Sequence, residues 1–177
     1  MHEIQALIVS KNASASITRT WSEAVQRELT PTLVIVPLGA SLVHQMTARQ
    51  MHFPDLEDLD EVRTLAVTLE PVIEALAKLG QVGPLALVLT QYWGGAGEQA
   101  ALLLENGAVR SGPLVGPGSI NTILGDLGVH RDEETGRDQF DVVGLGRWRS
   151  TENVIKDTGQ RGAAADGAAR RSRQAGE

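Results

Sequence analysis

Two periods of apolar and polar residues alternate along this chain, and the change from one to the other lays out its elements. From His2 to Val9, Ile4, Ala6 and Ile8 share one side and Glu3, Gln5 and Leu7 the other, the spacing of a strand with one apolar and one mixed face. Thr32 to Val36 is a continuous, largely β-branched run closed by Pro37, as in a central strand covered on both faces. Two more apolar runs, Leu85 to Thr90 and Ala100 to Leu104, flank a glycine-rich stretch. The second of them stops at Asn106-Gly107, a strong two-residue hairpin signal.

Spacings of three and four mark the helices. Ser16 reads as the N-cap of a helix over Ile17 to Leu29, after a polar loop from Lys11 to Ser16, with Trp21 as a core anchor. Leu42, Val43 and Met46 turn one side of a short helix over 38–47 inward. The longest helix runs from Asp60 or Glu61 to Leu79, with Pro71 kinking it or splitting it in two. Ser119 reads as the cap of another, in which Ile120, Ile123, Leu124 and Leu127 lead to a terminal Gly128. Between them, 110–118 is so rich in Gly and Pro that it reads as a rigid irregular loop, and 130–138 as an exposed polar one.

The pattern predicts an α/β (α+β) domain over residues 1–156, with a predominantly antiparallel sheet, a central glycine-rich hairpin, and three or four covering helices. Residues 157–177 hold no large apolar side chain and are expected to be a disordered Arg/Ala/Gly-rich tail.

The stretch Tyr92-Trp93-Gly94-Gly95-Ala96-Gly97-Glu98-Gln99 admits two readings. If Glu98 to Glu105 is a helix, strand, glycine loop and helix form a phosphate cradle and the chain is a nucleotide- or phosphate-binding enzyme or regulator. If it is a strand, the segment is a hairpin and the chain is a binding scaffold. The strand is favoured, because eight residues are short for a crossover of about a dozen. The glycines also match neither G-x-G-x-x-G nor a P-loop, and no Lys follows them.

Composition narrows the chemistry. The net charge of −6 divides into −7 over residues 1–156, with 12 basic and 19 acidic residues, and a tail carrying four Arg against three acids. An acidic body repels phosphate backbones, so nucleic acid is not the expected partner. The absence of cysteine removes disulfides, thiolate ligands and a Cys nucleophile together. The start shows no basic region followed by a long apolar one, and no run approaches the roughly 20 residues that span a bilayer, so a cytoplasmic protein without membrane insertion is expected.

No catalytic set emerges. Ser41 and His44 share a helix face but lack an orienting carboxylate. His52 and the acidic run Asp55 to Glu61 match no EF-hand spacing and read as a solvated charge run that could steer a partner. The expectation is therefore no metal and no cofactor, with the balance against an enzyme.

The stretch Tyr92 to Ala100, the helix opening Gly118-Ser119-Ile120-Asn121, Leu127-Gly128-Val129, Asp138-Gln139-Phe140-Asp141 and Gly144-Leu145-Gly146-Arg147 together resemble a group of small, largely uncharacterised bacterial accessory proteins. Some of these are reminiscent of toxin-immunity proteins and of plasmid-carried fertility-inhibition factors. The likeness covers residues from about 84 to 150 and brings no catalytic residues with it. It implies an inhibitor that blocks a protein partner, a toxin or a component of a conjugation apparatus. The residues expected to contact that partner, or an anion under the second reading, are Trp93, Gly94, Gly95, Gly97, Arg147, Trp148 and Arg149, since Trp and Arg are enriched in interface hot spots.

Overall fold

Every strand pairs antiparallel to its neighbours in one six-stranded sheet of order β2-β3-β1-β4-β5-β6. The computed structural model describes residues 2–48, 53, 62–79, 82–93 and 96–157. His52, the acidic run Asp55 to Glu61, Gly94, Gly95 and the tail from 158 onward lie outside the described residues, as do the side chains of 62–66, Trp93 and Ala96.

In chain order the elements are β1 (His2–Ser10), α1 (Lys11–Thr20), β2 (Arg27–Glu28), β3 (Leu33–Pro37), α2 (Ala40–Thr47), α3 (Val62–Ala77), β4 (Leu85–Trp93), β5 (Ala96–Glu105), β6 (Ala108–Val115), α4 (Ser119–Asp126), α5 (Gln139–Val143), a 3-10 turn (Leu145–Arg147) and α6 (Thr151–Lys156). Alternation within each central strand sorts side chains between two cores. Leu7, Val9, Val34, Val36, Leu87 and Leu102 meet Ile17 of α1, Leu42 of α2 and Val72 of α3. Ile4, Ala6, Ile8, Ile35, Val88 and Leu103 meet Ile123 of α4, Val143 of α5 and Val154 of α6. The sheet is therefore covered on both faces, which is why its strands read as nearly unbroken apolar runs. Among the described residues no helix is long and apolar enough to cross a membrane.

The favoured reading of 98–105 holds: β5 is a strand. Asn106 and Gly107 have φ of 52° and 80°, the positive values that both central residues of a type I′ turn require, and Glu105 pairs with Ala108 across it. A Cβ on Gly107 would lie 2.9 Å from Ala77 Cα, so the turn also seats the end of α3.

Four local expectations need correction. The first helix begins at Lys11 instead of Ile17 and ends at Thr20, with Ser10 as its cap, the Ser10 Oγ accepting from the Ala13 amide at 3.1 Å. Its polar residues hid it, but Ala13, Ser14 and Ile17 are buried, and Ser14 satisfies its own hydroxyl on the Lys11 carbonyl at 2.8 Å. Residues 108–115 form strand β6 and not a loop; it lies at the edge of the sheet, where a proline is tolerated. Of the two alternatives for Pro71, the split is the one overturned, since α3 is continuous. The carbonyl that Pro71 leaves without its helical donor belongs to Val67, whose side chain is 62% exposed, so this turn faces water. Finally, Gly118 at φ 83° occupies the cap position of α4, and Ser119 is its first residue, its Oγ donating to the Gly116 carbonyl at 2.7 Å. Gly128 takes the left-handed terminal position expected for it, at φ 84°.

Candidate functional site

Trp93 and Ala96 are paired, so β4 and β5 are joined by a two-residue connection, Gly94-Gly95, at the end of the sheet where β1 begins. The base of this hairpin depends on Gly97, opposite Tyr92. A Cβ there would stand 2.6 Å from Tyr92 Cα, so the close approach of the two strands admits only hydrogen at this position.

Beside Gly97 the inner face changes from apolar to polar. His2 continues the row of Ile4, Ala6 and Ile8; Thr90 and Tyr92 continue that of Ala86 and Val88; Gln99 precedes Ala101 and Leu103. His2, Thr90 and Gln99 are nonetheless buried. Thr90 Oγ1 accepts the Ile4 amide at 3.0 Å and stands 2.9 Å from His2 Nδ1. That hydroxyl can donate to Nδ1, leaving the ring proton on Nε2. Nε2 is sealed from solvent without a hydrogen-bond partner among the described residues. Burial pulls the His2 imidazole below its usual value near 6.5; the Leu145 carbonyl opposes this and the charge of Arg149 adds to it. The rings of Tyr92 and Phe140 flank His2 at 5.9 and 6.1 Å.

Gln99 ties the hairpin to α4. Its Nε2 donates to the Tyr92 hydroxyl in a short bond, its backbone carbonyl accepts the Gly116 amide at 2.8 Å, and its Oε1 faces the Ile120 amide at 3.4 Å. Burial raises the Tyr92 hydroxyl above its ordinary value, against the lowering effect of Gln99, with Glu98 and Asp138 adding to the rise. Asn121 then joins α4 to α5. Its Nδ2 donates to Asp138 Oδ2 and its Oδ1 accepts the Phe140 amide, both at 2.8 Å.

This arrangement corrects the anion-cradle reading. The strand at β5 removes the helix that a cradle would need. At α4 the Ser119 amide is bound to the Gly116 carbonyl at 3.2 Å, and the Ile120 amide faces Gln99, so the first amides already point at protein oxygens.

The other expected site residues separate. Arg149 lies near the hairpin: its carbonyl accepts the Glu3 amide at 2.9 Å, Glu3 pairs with Gln91, and its exposed guanidinium has no partner among the described residues. Arg147 does not. Its guanidinium stacks 3.9 Å over Trp148 and donates to the Glu28 carbonyl, and burial lowers its pKa. Glu28 aligns through Val34 and Val9 with Leu85, eight residues along the ladder from Trp93, on the order of 25 Å at about 3.3 Å per residue. No ion pair joins Arg147 to Asp138 or Asp141. Trp148 is corrected most plainly: it is 5% exposed, packed in the core, and its Nε1 donates to Asp157 Oδ2 at 2.8 Å. It presents no surface to a partner. Ser41 and His44 are both exposed on α2, and among the described residues no cluster of three His, Asp or Glu could hold a metal.

His2, Thr90, Tyr92, Gln99 and Asn121 were not singled out from the sequence, although a signal existed: each of the first four continues an apolar row at a spacing of two. Comparison of the chain with protein-family models, with curated proteins and with solved structures finds no match in any of the three.

Proposed function

We propose that this chain is a non-enzymatic cytoplasmic inhibitor that binds and blocks a protein partner, with the β4–β5 hairpin tip and the neighbouring Arg149 as its contact surface. The observation that carries this reading is the use made of the polar groups behind the hairpin. His2, Thr90, Tyr92 and Gln99 bond to one another and to the start of α4, which braces the base of the hairpin. A braced hairpin base reduces the ordering entropy lost on association. The likeness over residues 84–150 suggests the partner class, a toxin or a component of a conjugation apparatus, and the net charge of −6 suits attraction to a basic protein.

The test is a cross-linked pull-down of the full chain from its host. A single enriched protein is expected, bound directly by the purified chain, with capture reduced by Trp93→Ala and by Arg149→Glu at unchanged melting temperature. Equal capture by wild type and both variants would defeat the reading.

A further inference from the structure

On the opposite face of the sheet the ends of α1 and α3 and the side of α2 enclose a cleft of about 360 Å³, within the range of small-molecule sites of about 300 to 1,000 Å³. Its floor is formed by Trp21 and Met46, both buried in the core, with Leu79 at one side. Arg19, Thr20 and Lys78 form the rim, and all three are exposed.

Basic residues at helix ends commonly offset the unpaired carbonyls there. Here backbone amides meet some of those carbonyls. In α1 the Trp21 amide donates to the Ile17 carbonyl at 2.9 Å. In α3 the Lys78 and Leu79 amides donate to the Glu74 and Leu76 carbonyls. Neither Arg19 nor Lys78 enters an ion pair among the described residues. In a chain of net charge −6, two cations that enter no ion pair among the described residues therefore border one aromatic-floored opening.

We propose that this cleft binds a small aromatic carboxylate or sulfonate, its ring against Trp21 and Met46 and its anionic group between Arg19 and Lys78. A guanidinium matches the two oxygens of such a group in plane, and an ammonium adds a point charge on its other side. The ring supplies the apolar area that a small inorganic ion would lack, which selects the organic anion over phosphate.

The probe is 8-anilinonaphthalene-1-sulfonate, titrated into the full chain by fluorescence and by following the three tryptophan indole N–H signals by NMR. Saturable one-to-one binding that moves the Trp21 signal is expected. The double variant Arg19→Gln/Lys78→Gln should bind roughly tenfold or more weakly at unchanged melting temperature. Arg19→Lys, which keeps the charge but loses the planar fork, should bind with an affinity between those of the wild type and the double variant. The uncharged analogue N-phenyl-1-naphthylamine should bind the wild type as weakly as the sulfonate binds the double variant. Absence of saturable binding, movement of the Trp93 or Trp148 signal instead, or equal affinity of the double variant or the neutral analogue would each overturn the proposal.

Discussion

Asn121 on α4 and Asp138 ahead of α5 are joined by a 2.8 Å hydrogen bond from Nδ2 to Oδ2. The other oxygen of Asp138 caps α5 by accepting the Asp141 amide at 3.0 Å, so a single carboxylate both starts one helix and anchors it to another. Replacing Asn121 with Ala removes the tie and leaves the Phe140 amide without its acceptor, at a cost of about 1 to 2 kcal/mol. Asn121→Asp should cost more at neutral pH, because it sets a second carboxylate against Asp138 and removes the donor. Urea midpoints of the two variants, measured at neutral pH and again in acid, check the order and its loss once the carboxylates are protonated.

Gly97→Ala is expected to destabilise by about 1 to 3 kcal/mol, since the added carbon has only backbone to displace. Gly97 does not have a positive φ, so the cost comes from collision with the Tyr92 backbone. Equilibrium unfolding of the variant checks the magnitude. Loss of the Tyr92 to Gln99 contact, seen by NMR at those side chains, checks the place.

Stability should fall as the solution is acidified through the histidine range, because His2 is held below 6.5 when folded. Between the folded value and 6.5 the unfolded chain takes up a proton that the folded chain resists. The contribution is therefore whole above 6.5 and lost as pH falls below it. Denaturation from about pH 7.5 to about pH 5.5 should show a smaller decline in His2→Phe than in the wild type. Equal declines would remove His2 as the cause.

Asp157 was expected to open the tail, yet it accepts from Trp148 Nε1 and caps α6. Removal of residues 158–177 should leave the melting temperature unchanged, as that segment has no large apolar side chain to bury. Removal from 157 onward, or Asp157→Ala, should cost about 1 to 3 kcal/mol through the buried indole N–H left unpaired. Thermal unfolding of the three chains separates the two effects.

Strands β1, β3, β4 and β5 were legible because a sheet covered on both faces demands apolar runs, and Asn106-Gly107 names its own turn. Helix α1 was not, because Lys11-Asn-Ala-Ser-Ala-Ser has the composition of a loop, and only burial of Ala13, Ser14 and Ile17 makes it a helix. The Gly and Pro of β6 also concealed a strand whose place at the sheet edge cannot be read from local propensity. At the site, Trp148 was chosen for its residue type, while its burial is set by tertiary packing against cores formed far away in sequence. The polar network was legible in principle at His2, Thr90 and Gln99, whose spacing continues apolar rows; that Asn121 and Asp138 meet depends on how α4 and α5 cross.

The two outer strands limit how the molecule can associate. β2 is only two residues long, and β6 carries Pro113, register breaks between Ala101 and Leu104 of its partner β5, and a left-handed Gly112. Neither offers the long, flat row of free amides and carbonyls that another chain could extend. Both edges are therefore poor templates for edge-to-edge stacking of copies. Such edges also offer little to a chain that would bind by adding a strand.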